Sequence, residues 1–333
     1  MVGKFLLSLV VLFCTLKSAQ SQSDFSHTEY PLSVIFDTDF GPDYDDVGAI
    51  TLLHSFTDSG YIKILATMAS SKHKNVAAAL NVFNTYFKKP DIPIGVVSKN
   101  GLDLGDRQHW TDSVISRYPH HIKSNDEVPE ALNLYRKLLA SQPDHSVTII
   151  TVGFLTNLAN LLQSSPDSFS GLNGFELVKL KVAALVCMGG RFPSGREFNL
   201  DQDVSSSKKV LEEWPTTILF SGFEIGQKIK TGLPLVHNEK IQKSPVKDVF
   251  SICIPMAKED SAGRMSWDET AVYVAVKGWQ PFYALQTGDC KIFPDGSNTW
   301  TASAGRRAHL VEVMPPQEIN AIINQLMMHQ PLK

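Results

Sequence analysis

Cysteine is scarce in this 333-residue chain, with four in all. Past residue 22 only Cys187, Cys253 and Cys290 remain, an odd number at wide spacing. That excludes a disulfide framework and a zinc knuckle and leaves buried apolar thiols as the reading, with one bridge plus a free thiol as the alternative. Charge of one sign is not in excess either: the formal net charge is −3, which gives no reason to expect nucleic acid or an anionic membrane as a partner. No apolar run is long enough to span a bilayer, and no internal repeat or low-complexity linker interrupts the chain. Lysine and arginine are missing altogether between Tyr30 and Lys63.

What is present begins with Lys4 and the run Phe5 to Phe13, followed by small and polar residues through Gln22. This three-part pattern predicts a secretory signal peptide over residues 1–22, cleaved near Ala19 to Gln22. It implies a secreted, extracellular protein (periplasmic in a bacterium) with no membrane attachment after cleavage. The remainder, residues 23–333, reads as one catalytic-sized domain.

Within that domain, strand and helix signals alternate. Val34 to Phe36, Tyr61 to Met68, Pro90 to Val97, Ser146 to Val152, Val182 to Met188 and Thr216 to Phe220 read as strands; helical spacing covers Asn75 to Phe87, Glu130 to Ala140 and Thr156 to Leu162. Ser266 and Glu269 have capping-box spacing at the start of a helix through Val276. Residues 98–127 read as a long irregular loop, 282–314 as short strands and turns, and Ile319 to Met327 as a surface helix. The pattern predicts an α/β fold, a mostly parallel central sheet with helices on both faces and ligands beyond the carboxyl ends of the strands.

The densest chemistry lies at the end of the first strand. Asp37, Asp39, Asp43, Asp45 and Asp46 place five carboxylates in ten positions. Like charges so close raise one another's pKa and repel, and no basic residue lies nearby in the chain. A bound hard cation, Ca²⁺ or Mg²⁺, is the expected neutraliser. The alternative is a solvated acidic loop at a helix N-terminus, where aspartates are favoured in any case. An EF-hand loop is excluded, because its required Gly and Glu positions hold Pro42 and Gly48. A phosphatase of the haloacid dehalogenase class also starts Asp-x-Asp, but Gly41 and the Asp45-Asp46 pair do not match it.

A third pattern fits the whole chain. Asp37-Thr38-Asp39-x-Gly followed by Asp45-Asp46, then Thr148 to Ala159, Met188-Gly189-Gly190 with Glu197-Phe198-Asn199, and Trp267-Asp268 occur in the order of the inosine-uridine-preferring nucleoside hydrolase family. The chain resembles that family over about residues 30–330. The resemblance implies a Rossmann-like fold and hydrolysis of the N-glycosidic bond of a small-molecule ribonucleoside to free base and ribose. It implies Ca²⁺ held by Asp39, Asp45, Asp46, the Val152 carbonyl and Asp268, with Asp37 supporting these ligands from behind. It also implies ribose hydroxyls held by Glu197 and Asn199, a water polarised by the ion and deprotonated by Asp39, and association into homodimers or homotetramers.

Two departures stand out. Two more residues separate Asp39 from Asp45 than in the usual spacing, so Asp43 is either a substitute ligand or a plain loop residue. Trp267 stands where the family usually has His; tryptophan can stack on a purine but cannot act as an acid. The donor of the leaving group's proton is then open among His73, His109 and Tyr118. A second reading, from a different class, is a non-catalytic secreted protein that keeps the calcium site to bind a ribosyl ligand.

Overall fold

The computed structural model describes residues 31–98 and 100–332; the signal-peptide expectation lies outside them. Seven strands, six of them the apolar stretches expected and the seventh the more polar Arg307–Glu312, form the parallel part of a ten-stranded sheet. In chain order the strands are β1 (Leu32–Thr38), β2 (Ile62–Ala69), β3 (Ile94–Val96), β4 (Val147–Thr151), β5 (Val182–Met188), β6 (Ser194–Arg196), β7 (Thr217–Ser221), β8 (Lys230–Thr231), β9 (Arg264–Met265), β10 (Tyr283–Ile292), β11 (Ser297–Ala302) and β12 (Arg307–Glu312). The sheet runs β3-β2-β1-β4-β5-β7-β12-β10-β11-β6, while β8 and β9 pair as a separate antiparallel ribbon. Strands β10, β11 and β6 extend the parallel sheet antiparallel.

The central strands are buried on both faces, since helices cover each side. Two apolar clusters result, one on either side of the sheet. The helix Asp45–Asp58 is buried nearly all round, wedged between the sheet and the helix Trp267–Lys277. Gly48 permits this approach: a Cβ there would lie 2.0 Å from Glu269 Oε1.

Several expectations need correction. The stretch 98–127 is not wholly irregular, because Trp110–Arg117 is a helix whose inner face (Trp110, Thr111, Val114) is buried. The capping box at Ser266 does not form: the Ser266 hydroxyl pairs with Thr231 Oγ1 at 2.6 Å, and both Glu269 oxygens are buried without a partner among the described residues. Helices at Gly174–Lys181, Val204–Glu213 and Pro245–Cys253 carry no expectation from the sequence. Cys187, Cys253 and Cys290 are all free and buried. No helix among the described residues is long and apolar enough to cross a membrane.

Candidate active site

Parallel strands send their carboxyl ends to one edge, and there a cavity of about 280 Å³ opens. Its wall includes Asp39 after β1, Val152 after β4, Met188 at the end of β5, Glu197 and Asn199 after β6, and Trp267 and Asp268 at the start of their helix. Asp43 and Asp45 from the acidic loop, and Arg264 from the ribbon, complete it. A larger hollow, about 550 Å³, lies at the other end of the strands among residues such as His145, Leu180, Pro215 and Arg306. It holds none of the expected groups, so the smaller cavity is the site on chemical grounds.

Each carboxylate has a distinct environment. Asp37 is fully buried and accepts from Tyr135 Oη at 2.8 Å and from Asn157 Nδ2 at 3.2 Å. Burial lifts its pKa to about 7 against those hydrogen bonds. Its backbone oxygen receives the Val152 N–H at 2.8 Å, so Asp37 supports the cavity wall through the main chain. Gly153 is needed at that junction, where a Cβ would stand 2.4 Å from the Asp39 nitrogen.

Asp39 and Asp268 lie in the cavity wall and take no side-chain hydrogen bond from any other described residue. Burial raises both well above the carboxylate range, and neighbouring aspartates push in the same direction. Asp46 is bonded by the Thr38 hydroxyl through Oδ1, and its Oδ2 is buried with no partner among the described residues. Burial, then Asp45, lifts Asp46 to about 7.

Asp45 departs from the expected ligand role. Its Oδ1 accepts from Arg264 Nε at 3.1 Å and Nη2 at 2.8 Å, and its Oδ2 from the Asp268 N–H at 3.3 Å. The loop therefore has a basic neighbour after all, delivered from 219 residues further along the chain. Arg264 also meets Asp43 Oδ2 at 2.6 Å. Asp43 is thus neither a free ligand nor a plain loop residue.

Glu197 caps the short helix Phe198–Gln202, accepting from the N–H groups of Asn199 (2.8 Å), Leu200 (3.2 Å) and Gly190 (3.0 Å). Burial nonetheless raises it to about 7. Asn199 donates to the Val152 carbonyl at 3.0 Å and that of Met188 at 3.3 Å, leaving its Oδ1 for a ligand. Trp267 donates its indole N–H to the Phe223 carbonyl at 2.8 Å and packs on the Phe223 ring. His73, His109 and Tyr118 do not line the cavity.

Whether these groups suit a hard cation is answered by their partners. Asp39, Asp46 and Asp268 fit in charge, in burial and in having no directly bonded cation among the described residues; an orphaned buried carboxylate oxygen calls for a cation or a proton. Asp45 does not fit, since Arg264 has claimed it. Among the described residues no three acidic, imidazole or thiol side chains are already gathered around one point as a metal centre.

Fold and cavity together define an α/β protein with an acidic, sugar-sized pocket at the carboxyl edge of a parallel sheet. The chain matches the profile of the inosine-uridine preferring nucleoside hydrolases over residues 34–315 and belongs to that family. It is an N-glycosidic bond hydrolase of ribonucleosides. Among solved structures it is similar to a plant nucleoside hydrolase, PpNRh1 (18% identity, TM-score 0.68, covering 90% of this chain and 99% of that one). The inosine-uridine preferring nucleoside hydrolase of Bacillus anthracis is similar too (16%, 0.67, 90% and 99%), as is the type III effector XopQ complexed with adenosine diphosphate ribose (15%, 0.64, 94% and 97%). At these identities the likeness establishes a shared fold. No curated protein sequence matches the chain.

Proposed function

We propose that this is a secreted, Ca²⁺-dependent hydrolase that releases base and ribose from ribonucleosides, with Asp39 as the base that takes the proton of the attacking water. The observation that carries it is the meeting of Asp39 and Asp268, 229 residues apart in the chain, at one cavity edge, both buried and both with side chains that have no hydrogen-bond partner in any other described residue. When bound, the cation supplies the charge that offsets these carboxylates and polarises the water. Asp39, Asp46, Asp268 and the Val152 carbonyl would hold it. Glu197 and Asn199 line the pocket, and the acceptor capacity that their own hydrogen bonds leave, Asn199 Oδ1 above all, would serve sugar hydroxyls; carboxylates around the sugar favour its oxocarbenium-like transition state. Trp267 presents an aromatic wall to the base but no acid, and none of the histidines among the described residues lines the pocket.

The test is release of ribose from inosine, uridine and adenosine by the exported protein, with and without a calcium chelator. Ribose should appear, vanish on chelation and return with Ca²⁺. Asp39→Asn should lower kcat by about 10²–10⁴-fold, the worth of a positioned base, while nucleoside binding persists. Binding of nucleosides without any turnover at saturating Ca²⁺ would favour the non-catalytic ribosyl-binding reading instead.

A further inference from the structure

Arg264 and the enlarged acidic loop are built as one unit. The two residues in excess of the nucleoside hydrolase spacing fall between Asp39 and Asp45, the stretch that contains Asp43 and Tyr44. Both of those residues grip Arg264. Asp43 pairs with its Nη2 at 2.6 Å, and the Tyr44 ring lies 5.0 Å from the guanidinium carbon. The Trp267 ring lies 5.1 Å from the same carbon. Tyr44 also donates to Asp260 at 2.7 Å, and Asp260 stands 3.7 Å from Arg264 Nη1. The β8–β9 ribbon fixes the backbone, with Arg264 opposite Thr231, and the residue is only 8% exposed. A guanidinium so placed stays charged at any working pH. The cavity wall therefore contains a permanent cation, and that cation holds one carboxylate, Asp45, that the family resemblance assigns to the metal.

Building on the calcium reading above, we infer that Arg264 is a resident cation that sets the divalent-ion affinity of this site. It keeps Asp45 out of the ligand set and opposes through space a second cation brought to Asp39, Asp46 and Asp268. Asp43 and Tyr44 hold it in that place, which accounts for the loop's extra length. Nothing in this role requires Arg264 to touch substrate; it is a positioning residue and an affinity brake.

The experiment is a titration of the full chain with Ca²⁺ by calorimetry, and with Tb³⁺ by emission sensitised through Trp267. Arg264→Met should bind Ca²⁺ at least about tenfold more tightly, because a like charge close to the ion is removed and Asp45 is released. Its Tm should be lowered without Ca²⁺ and restored by it, giving a larger calcium-induced rise than in the wild type. Arg264→Lys keeps the charge and should stay within about threefold of wild-type affinity; it also serves if the methionine variant does not fold. Binding by the wild type with equal or weaker binding by Arg264→Met would overturn the inference and leave the calcium reading standing. A Lys variant that tightens as much as the Met variant would overturn it as well. Absence of binding in both wild type and Arg264→Met would remove the inference and the calcium reading together, whereas binding by the variant alone would uphold the role of Arg264 and overturn the calcium-dependent reading of the wild type.

Discussion

Asp37 and Asp39 sit two residues apart on one strand end and lead different chemical lives. Tyr135 and Asn157 surround Asp37 with donors, so it braces the strand junction, while Asp39 faces the cavity unaccompanied. Tyr135→Phe should therefore cost about 1–2 kcal/mol of stability in urea unfolding, the penalty for a buried carboxylate short of one donor. The sequence made the acidic residues visible because five of them crowd ten positions. It hid Arg264, since neutralisation across 219 residues leaves no local trace. A signal did exist: Arg264 lies four residues before Asp268, and any group so close to a cavity residue is a candidate for the cavity itself. Glu197 was legible as a site residue but not as a helix cap, because the helix it caps is too short to show a period.

At the level of single elements, the helix Asp45–Asp58 carries more than its two N-terminal aspartates. His54 is fully buried on it, bonded through Nε2 to Asn84 at 3.0 Å and stacked on Phe87. Burial, aided by Lys89, pushes its pKa down to about 3 from the ordinary 6.5. Between those values the unfolded chain takes up a proton that the folded chain refuses. His54 thus contributes stability that is whole above pH 6.5 and drains as pH falls toward 3, at about 1.4 kcal/mol per pH unit. His54→Gln should flatten the difference in unfolding free energy over that window, measured by denaturant titration at several pH values. Strands were easier to read than helices here: buried parallel strands appear as continuous apolar runs, and all six expected ones are present. The helices without a clear sequence signal, such as Gly174–Lys181 and Val204–Glu213, leave most of their positions at least partly exposed and are stabilised by caps, as with Asn173 and Glu176.

For the molecule as a whole, the parallel core fixes the edge where ligands bind, and the antiparallel extension β10-β11-β6 delivers the sugar-side wall to it. Asn298 on β11 clasps Arg191, accepting its N–H and donating to its carbonyl, both at 2.9 Å. That clasp steadies the segment running into Glu197. Asn298→Ala should raise KM for a nucleoside several-fold with a smaller change in kcat, since binding geometry and not the water-activating group is disturbed; steady-state kinetics would show it. The alternation of strands and helices foretold the parallel sheet. The order in which distant segments meet is a property of three dimensions, and only the resemblance to a known family anticipated it.

The cavity's perimeter is recruited from Asp39 through to Asp268, so no contiguous fragment shorter than that span contains a complete pocket. A deletion that removed either end of that span, or a protease nick that let either half drift away, would abolish turnover outright instead of leaving a weakened miniature. Selection must therefore act on this chain as an indivisible unit.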